Sequence, residues 1–296
     1  MARGLDHIIH AVRDLDAAAD LYRRLGFTVG PRNRHPWGTH NRIIQFPGVF
    51  MELLTLAEPE KLGSDALSQH FGRATQKYLE GQEGLSSVIL ESTAVAADAA
   101  AFAEAGIGVS QVLSFERDGQ RADGATVKVG FALAFARDPL APEVGFAVCK
   151  QRDPDTFWNA ASQQHANSAA TIAGVVLVAE NPSDHHIFLS AFTGERELHA
   201  SSSGITAPTP RGDIRVMDPA AFADRYELAA PDVTAGARLA AIRFEVREHG
   251  ALERSLERSG VPFLRHMNAA VVAPKDAFGA TLVFMDPLPS PSAVAW

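Results

Sequence analysis

Leu5-Asp6-His7-Ile8-Ile9-His10-Ala11-Val12 is an apolar run of strand length, and Val49-Phe50-Met51-Glu52-Leu53-Leu54 is a second one. Between them, Asp14 or Asp16 is placed to cap a helix, because a carboxylate accepts the free N–H groups of a first turn. Ala17, Ala18, Leu21, Tyr22 and Leu25 give that helix an apolar face at helical spacing. Gly26 stops it, since glycine tolerates the left-handed backbone of a helix end. Phe27 to Gly30 reads as a second strand, Pro31 to Gly38 as a loop, Thr39 to Phe46 as a third strand and Val49 to Leu56 as a fourth. Glu58-Pro59 closes the unit. The pattern is strand, helix, three strands. His7 and Glu52 are polar groups inside its first and last strands; if those strands lie together, an imidazole and a carboxylate face one cavity.

The rest of the chain reads as altered copies of this unit. Strands starting near Leu85, Ile172 and Leu239 are each followed by a helix and a stopping glycine, Gly106, Gly194 and Gly260. Asp153-Pro154, Asp218-Pro219 and Asp286-Pro287 repeat the closing acidic–proline pair. Repetition on this scale outranks any local motif. A unit of one helix and four strands leaves one sheet face open, so units must pair to cover or enclose it. The expected architecture is α+β: four βαβββ units in two domains, residues 1–154 and 172–296, joined by a connector at 155–171.

Composition narrows the function. The chain has 296 residues, a net charge of −8 and 46% hydrophobic residues. The length suits two domains of roughly 150 residues. The acidic balance argues against a nucleic-acid partner, which calls for a basic stripe. No apolar run is long enough to span a membrane. No charged-then-apolar leader opens the sequence, and a cytoplasmic protein is expected. Cys149 is the single cysteine; in the run Val144 to Val148 it reads as a buried structural thiol. Glycine-rich phosphate loops and Ser or Cys nucleophile motifs are absent, so no nucleotide cofactor is expected.

The doubled unit resembles the vicinal oxygen chelate (VOC) superfamily, whose members include glyoxalase I, extradiol dioxygenases and bleomycin-binding proteins. The opening Leu5 to Leu15, with Tyr22, Leu25, Gly26 and Phe27, is similar to that superfamily's first strand and helix. His35-Pro36-Trp37-Gly38-Thr39-His40-Asn41-Arg42-Ile43, followed by Phe50-Met51-Glu52-Leu53-Leu54, resembles the glyoxalase-like domain family more narrowly. The resemblance implies a cavity for a small molecule in the first domain. It also implies a divalent metal (Zn, Ni, Mn or Fe) on ligands from first and last strands, positions matched by His7 and Glu52.

The repeat tests whether other units supply ligands. His7 lies 19 residues before Gly26, and the same count back from Gly106, Gly194 and Gly260 gives Ser87, Val175 and Ala241. Glu52 lies 7 before Pro59, and the same count from Pro154, Pro219 and Pro287 gives Ala147, Gly212 and Ala280. None is a ligand. His165 in the connector is then the expected third metal ligand, with His35 as the alternative. Without metal, His7 and Glu52 form a cavity-lining pair able to act as general base and acid, because burial raises a carboxylate's pKa. Trp37, Asn41, Trp158 and His165 are the expected substrate contacts. The function expected is an enzyme of lyase, isomerase or dioxygenase type acting on a small metabolite; the alternative is a non-catalytic binding protein of the same fold. A purely structural second domain and a homodimer complete the expectations.

Overall fold

The computed structural model of the chain describes residues 2–109, 111–120 and 126–285. The fourth acidic–proline pair, Asp286-Pro287, lies outside the described residues. The first half runs β1 (Leu5–Ala11), α1 (Leu15–Arg24), β2 (Asn33–Arg34), β3 (Thr39–Phe46), β4 (Val49–Leu56), α2 (Ala74–Gly81), β5 (Gly84–Glu91), α3 (Val95–Glu104), β6 (Leu113–Gln120), β7 (Thr126–Ala136) and β8 (Gly145–Gln151). After α4 (Pro154–Phe157), the second half runs β9 (Ala169–Val178), α5 (His186–Thr193), β10 (His199–Ser201), β11 (Gly204–Pro208), β12 (Asp213–Met217), α6 (Pro219–Tyr226), β13 (Arg238–Val246), α7 (His249–Ser259), β14 (Leu264–His266), β15 (Ala269–Val272) and β16 (Thr281–Met285).

Each half is one curled eight-stranded sheet, ordered β2-β3-β4-β1-β5-β8-β7-β6 and β10-β11-β12-β9-β13-β16-β15-β14. The second order is the first advanced by eight strands, so the two halves have the same topology. Within a unit the first and last strands pair in parallel; between units the first strands pair antiparallel. Alternation along β1 and β4 sorts the side chains. Ile8, Met51 and Leu53 face a core shared with α1, α3, α5 and α7 and with the second sheet, whereas Ile9, Phe50 and Leu54 face the concave side. Among the described residues no helix is long and apolar enough to cross a membrane.

The punctuation read from the sequence has a physical basis. Asp14, not Asp16, caps α1, accepting from the N–H groups of Asp16 and Ala17 at 3.1 and 2.9 Å. Gly26, Gly106, Gly194 and Gly260 all have φ between 68° and 91°, the left-handed conformation that costs other residues most. The acidic–proline pairs do more than close units. Pro59, Pro154 and Pro219 each open a helical turn, where a missing N–H is no loss. Asp218 caps α6 through the Ala221 N–H at 2.8 Å.

Three element readings are corrected. Phe27 to Gly30 is not a strand; the second strand is Asn33–Arg34, inside the stretch read as a loop. The Thr28 N–H and hydroxyl bond His165 Nδ1 and the Gln164 carbonyl, so the connector takes donors a strand would have used. In the third unit the sequence after Gly194 also reads as a strand, from Glu195 to Ser201; that strand shortens to His199–Ser201, and β11 follows it. The π-helical turn Ser68–Arg73, α2 and α6 lie in stretches read without structure.

The two concave faces differ. In the second half, Phe222 and Tyr226 of α6 pack with Val176, Val178, Val271 and Val283 and fill the hollow. In the first half, the π-helical turn and α2 lie over the hollow and leave cavities beneath.

Candidate active site

His7 and Glu52 meet as the strand pairing requires. In the parallel ladder β1–β4, Phe50 sits opposite His7 and Glu52 opposite Ile9. Both side chains enter the concave side, and His7 Nε2 lies 4.0 Å from Glu52 Oε2. The imidazole stacks on Phe50 with centroids 4.4 Å apart. Asn41 on β3 donates to Glu52 Oε1 at 2.5 Å and accepts from Asn33 Nδ2 at 2.9 Å. The carboxylate is therefore held from the side away from His7.

A third group joins them. Asp6 Oδ1 lies 2.5 Å from His7 Nδ1, although neighbouring residues in a regular strand face opposite sides. The register of β1 against β5 slips between Leu5 and His7, leaving Asp6 as the extra residue of a bulge. A bulge re-aims a side chain in this way. Gln151 Nε2 holds the other Asp6 oxygen at 3.2 Å. With Nδ1–H donated to Asp6, the Nε2 lone pair of His7 is the one turned towards Glu52.

The second unit contributes Arg117 from β6, a residue the sequence reading passed over. The residue is 7% exposed, and its guanidinium lies over the Phe131 ring at 5.8 Å and donates to the Asp118 carbonyl at 3.2 Å. Burial pulls its pKa down and the Glu52 charge opposes that. Its Nε–H has no partner, nor has the Nε1–H of Trp37, and both atoms are buried. Phe115 packs edge-on to Trp37 at 4.9 Å, bringing the two edges of the curled sheet together. Cys149 lines the same cavity, and burial, with Asp6 and Glu52 nearby, raises its thiol pKa away from the reactive thiolate.

The other expected site residues are placed as follows. Trp37 and Asn41 line the cavity, as does His35. His35 Nδ1 pairs with Thr39 Oγ1 at 2.9 Å, and Asn41 Nδ2 approaches His35 Nε2 at 3.5 Å. Burial first, then the charges of Arg117 and His40, lowers the His35 pKa to about 3, so the ring is neutral. Trp158 stands behind the wall, edge-on to Phe50 at 6.0 Å, while its neighbour Phe157 lines the cavity. Gln45 fixes that choice by bonding the Phe157 carbonyl and the Asn159 N–H.

His165 does not reach the cavity. Its Nδ1 accepts the Thr28 N–H at 3.1 Å and its Nε2 donates to the Gln45 carbonyl at 3.0 Å. The ring packs edge-on against Phe27 and Phe46 and ties the connector to the first half. Both nitrogens are spent, and neither can coordinate a metal or touch a substrate.

The strand register locates the partners of His7 and Glu52 in the other units. In β5 and β8, Ile89 pairs with Ala147 as Ile9 pairs with Glu52, so Ser87 and Ala147 are the counterparts the sequence count gives. In the second half the last strands slip. The residue opposite Leu177 is Val216 rather than Gly212, and the residue opposite Arg243 is Val283 rather than Ala280. None of these is a ligand. Among the described residues no three His, Cys, Asp or Glu side chains are arranged so that they could hold a metal ion. Arg117 is a fixed cation whose charge is felt at both Glu52 and His35, which disfavours a dication between them. The donor set does not fit the divalent metal that the resemblance implies, with either His165 or His35 as third ligand.

Comparison with known proteins agrees with this architecture. The family model described as a glyoxalase-like domain matches residues 5–193. The chain belongs to the glyoxalase-like domain family. No curated relative matches it by sequence. Among solved structures, this glyoxalase-like protein is similar to a hypothetical protein from Staphylococcus aureus, with 13% identity and a TM-score of 0.67 over 97% of this chain and 100% of that one. It is also similar to a mutant of 4-hydroxymandelate synthase from Streptomyces coelicolor, with 10% identity and a TM-score of 0.59 over 98% of this chain and 94% of that one. A third similar structure is 2,2',3-trihydroxybiphenyl 1,2-dioxygenase from Sphingomonas wittichii, with 10% identity and a TM-score of 0.52 over 100% of this chain and 95% of that one. At such identities the likeness is one of fold, and the glyoxalase-like protein shares with them two halves of VOC type.

Proposed function

We propose that the protein is an enzyme of lyase or isomerase type that moves a proton on a small metabolite bound in the first-half cavity. The observation that carries this reading is the bulge that turns Asp6 onto His7 Nδ1 at 2.5 Å. An acidic partner on one imidazole nitrogen fixes the tautomer and strengthens the other nitrogen as a base. His7 Nε2 then takes a proton from carbon or hydroxyl. The imidazolium returns the same proton at a neighbouring atom, its charge balanced by Asp6 on Nδ1 and by Glu52, 4.0 Å away and steadied by Asn41. A group that acts first as base and then as acid in one small cavity suits isomerisation, or elimination and its reverse. Arg117 and Trp37, each with one buried N–H group that has no partner, both line this cavity. Donors fixed in a buried site stabilise negative charge that develops on a substrate oxygen.

The test is hydrogen exchange from D2O into small aldehydes, ketones and 2-oxo acids, followed by proton NMR. The native protein should accelerate exchange next to a carbonyl in at least one member, and His7→Gln should abolish that acceleration. The binding-protein reading gains some support from Ser87 and Ala147, which leave the second unit without a matching polar pair. Tight binding with no exchange, and no effect of His7→Gln, would favour it.

A further inference from the structure

The reactive cavity is small, about 50 Å³, which is room for one polar group. It is not isolated. Ile9, Leu54, Phe71 and Leu133 are walls both of this cavity and of a neighbouring one of about 440 Å³. The larger space lies over the second unit, and Ser87 and Ala147, the counterparts of His7 and Glu52, help line it. Small side chains at those two positions leave volume where a metal-binding pair would have stood. The wall common to both cavities is apolar, and a space of this size takes an apolar body. At the narrow end, two buried N–H donors have no partner, one on a guanidinium with no carboxylate within ion-pair distance among the described residues. Glu52 Oε1 is taken by Asn41, and Asp6 by His7 and Gln151. A buried donor without a partner is costly, and the oxygens of an anionic group would supply acceptors.

We propose that the ligand is an amphipathic carboxylate, its head on Arg117 and Trp37 beside His7 and its apolar tail in the larger cavity, passing Phe71. This rests on the reading of the His7–Glu52 cavity as the functional site and adds the class of molecule it takes.

Calorimetric titration of the full chain with butanoate, hexanoate and octanoate, and with the matching 1-alkanols, tests it. Affinity should rise about fourfold per methylene as the tail fills the larger cavity. Carboxylates should bind at least tenfold tighter than the alcohols of equal length. Arg117→Met should erase that preference, and Trp37→Phe should reduce carboxylate affinity severalfold while keeping the ring. Ala147→Leu should flatten the dependence on chain length. Should Arg117→Met fail to fold, Arg117→Gln and Trp37→Phe carry the same test. Equal affinity for acids and alcohols, no chain-length dependence, no binding at millimolar ligand, or an acid preference that survives loss of Arg117 would each overturn the proposal. Calorimetry needs no turnover. Octanoate binding of this kind without His7-dependent exchange would defeat the catalytic reading alone; exchange without acid preference would defeat this one alone.

Discussion

Replacing Arg117 by Met together with Glu52 by Gln should leave the protein at least as stable as the native chain. Arg117 is 7% exposed and Glu52 is 8% exposed, so both charges sit largely outside water. No ion pair within 4 Å joins them, and Arg117 Nε is unsatisfied. Their Coulomb attraction is spread over distance, while each bears its own desolvation. The double variant keeps shape: methionine follows the arginine stem over Phe131, and glutamine can still accept from Asn41. It gives up one bond to the Asp118 carbonyl, about 1 kcal/mol, and a cation–π contact of about 1 kcal/mol. It gains relief of an unsatisfied donor, about 1–3 kcal/mol, and of two buried charges. Replacing buried ion pairs by shape-matched neutral groups is neutral or stabilising by about 1–4 kcal/mol, and that is the range expected here. Urea unfolding followed by circular dichroism, with slopes compared, gives the difference. A loss of more than about 2 kcal/mol would show that these charges support the fold, and would refute the view that they are kept for a ligand at the expense of stability.

Four further outcomes are expected. Asp6→Asn should lower exchange by on the order of 10²–10⁴-fold, the usual worth of an oriented acid–base group, with stability checked by the same urea melts. His165→Ala should leave exchange and ligand affinity unchanged but cost about 1–3 kcal/mol, because two backbone groups lose partners at the connector. Stability should fall on acidification: burial lowers the pKa of His10, bonded to Tyr22 and the Phe278 carbonyl, to about 4. Because the folded value lies below the unfolded one, its contribution is intact above pH 6.5 and is lost between 6.5 and about 4, by about 3 kcal/mol; urea melts across that window measure it, and His10→Gln should flatten the slope. Prolonged treatment with chelator should change neither the melting temperature nor the exchange rate, since the described side chains do not form a metal-binding set.

The fold was legible because its punctuation is physical. A left-handed helix stop at Gly26, Gly106, Gly194 and Gly260 demands glycine wherever the backbone turns that way. His7 and Glu52 stood out as polar groups in apolar strands, and the count that relates them to Ser87 and Ala147 agrees with the strand register. It drifts in the second half because β12 and β16, of five residues each, are shorter than β4 and β8, so the acidic–proline pair stands closer to the residue opposite the first strand. Asp6 was hidden by the rule that adjacent strand residues diverge, which its bulge breaks. Arg117 left a readable trace: Phe115 and Arg117 are two apart in Leu113–Gln120 and share a face. His165 had the right chemistry and the wrong surroundings, since spacing says nothing about where a connector lays a ring. The filled second hollow was equally invisible, because α6 lay in a stretch read without structure.

The most direct test of the account is the rate of deuterium incorporation into the fastest-exchanging carbonyl compound, measured in EDTA for the native protein and for His7→Gln. The rate should be unchanged in EDTA and removed by His7→Gln. A rate lost in EDTA and restored by added metal, or one that persists without His7, would contradict it.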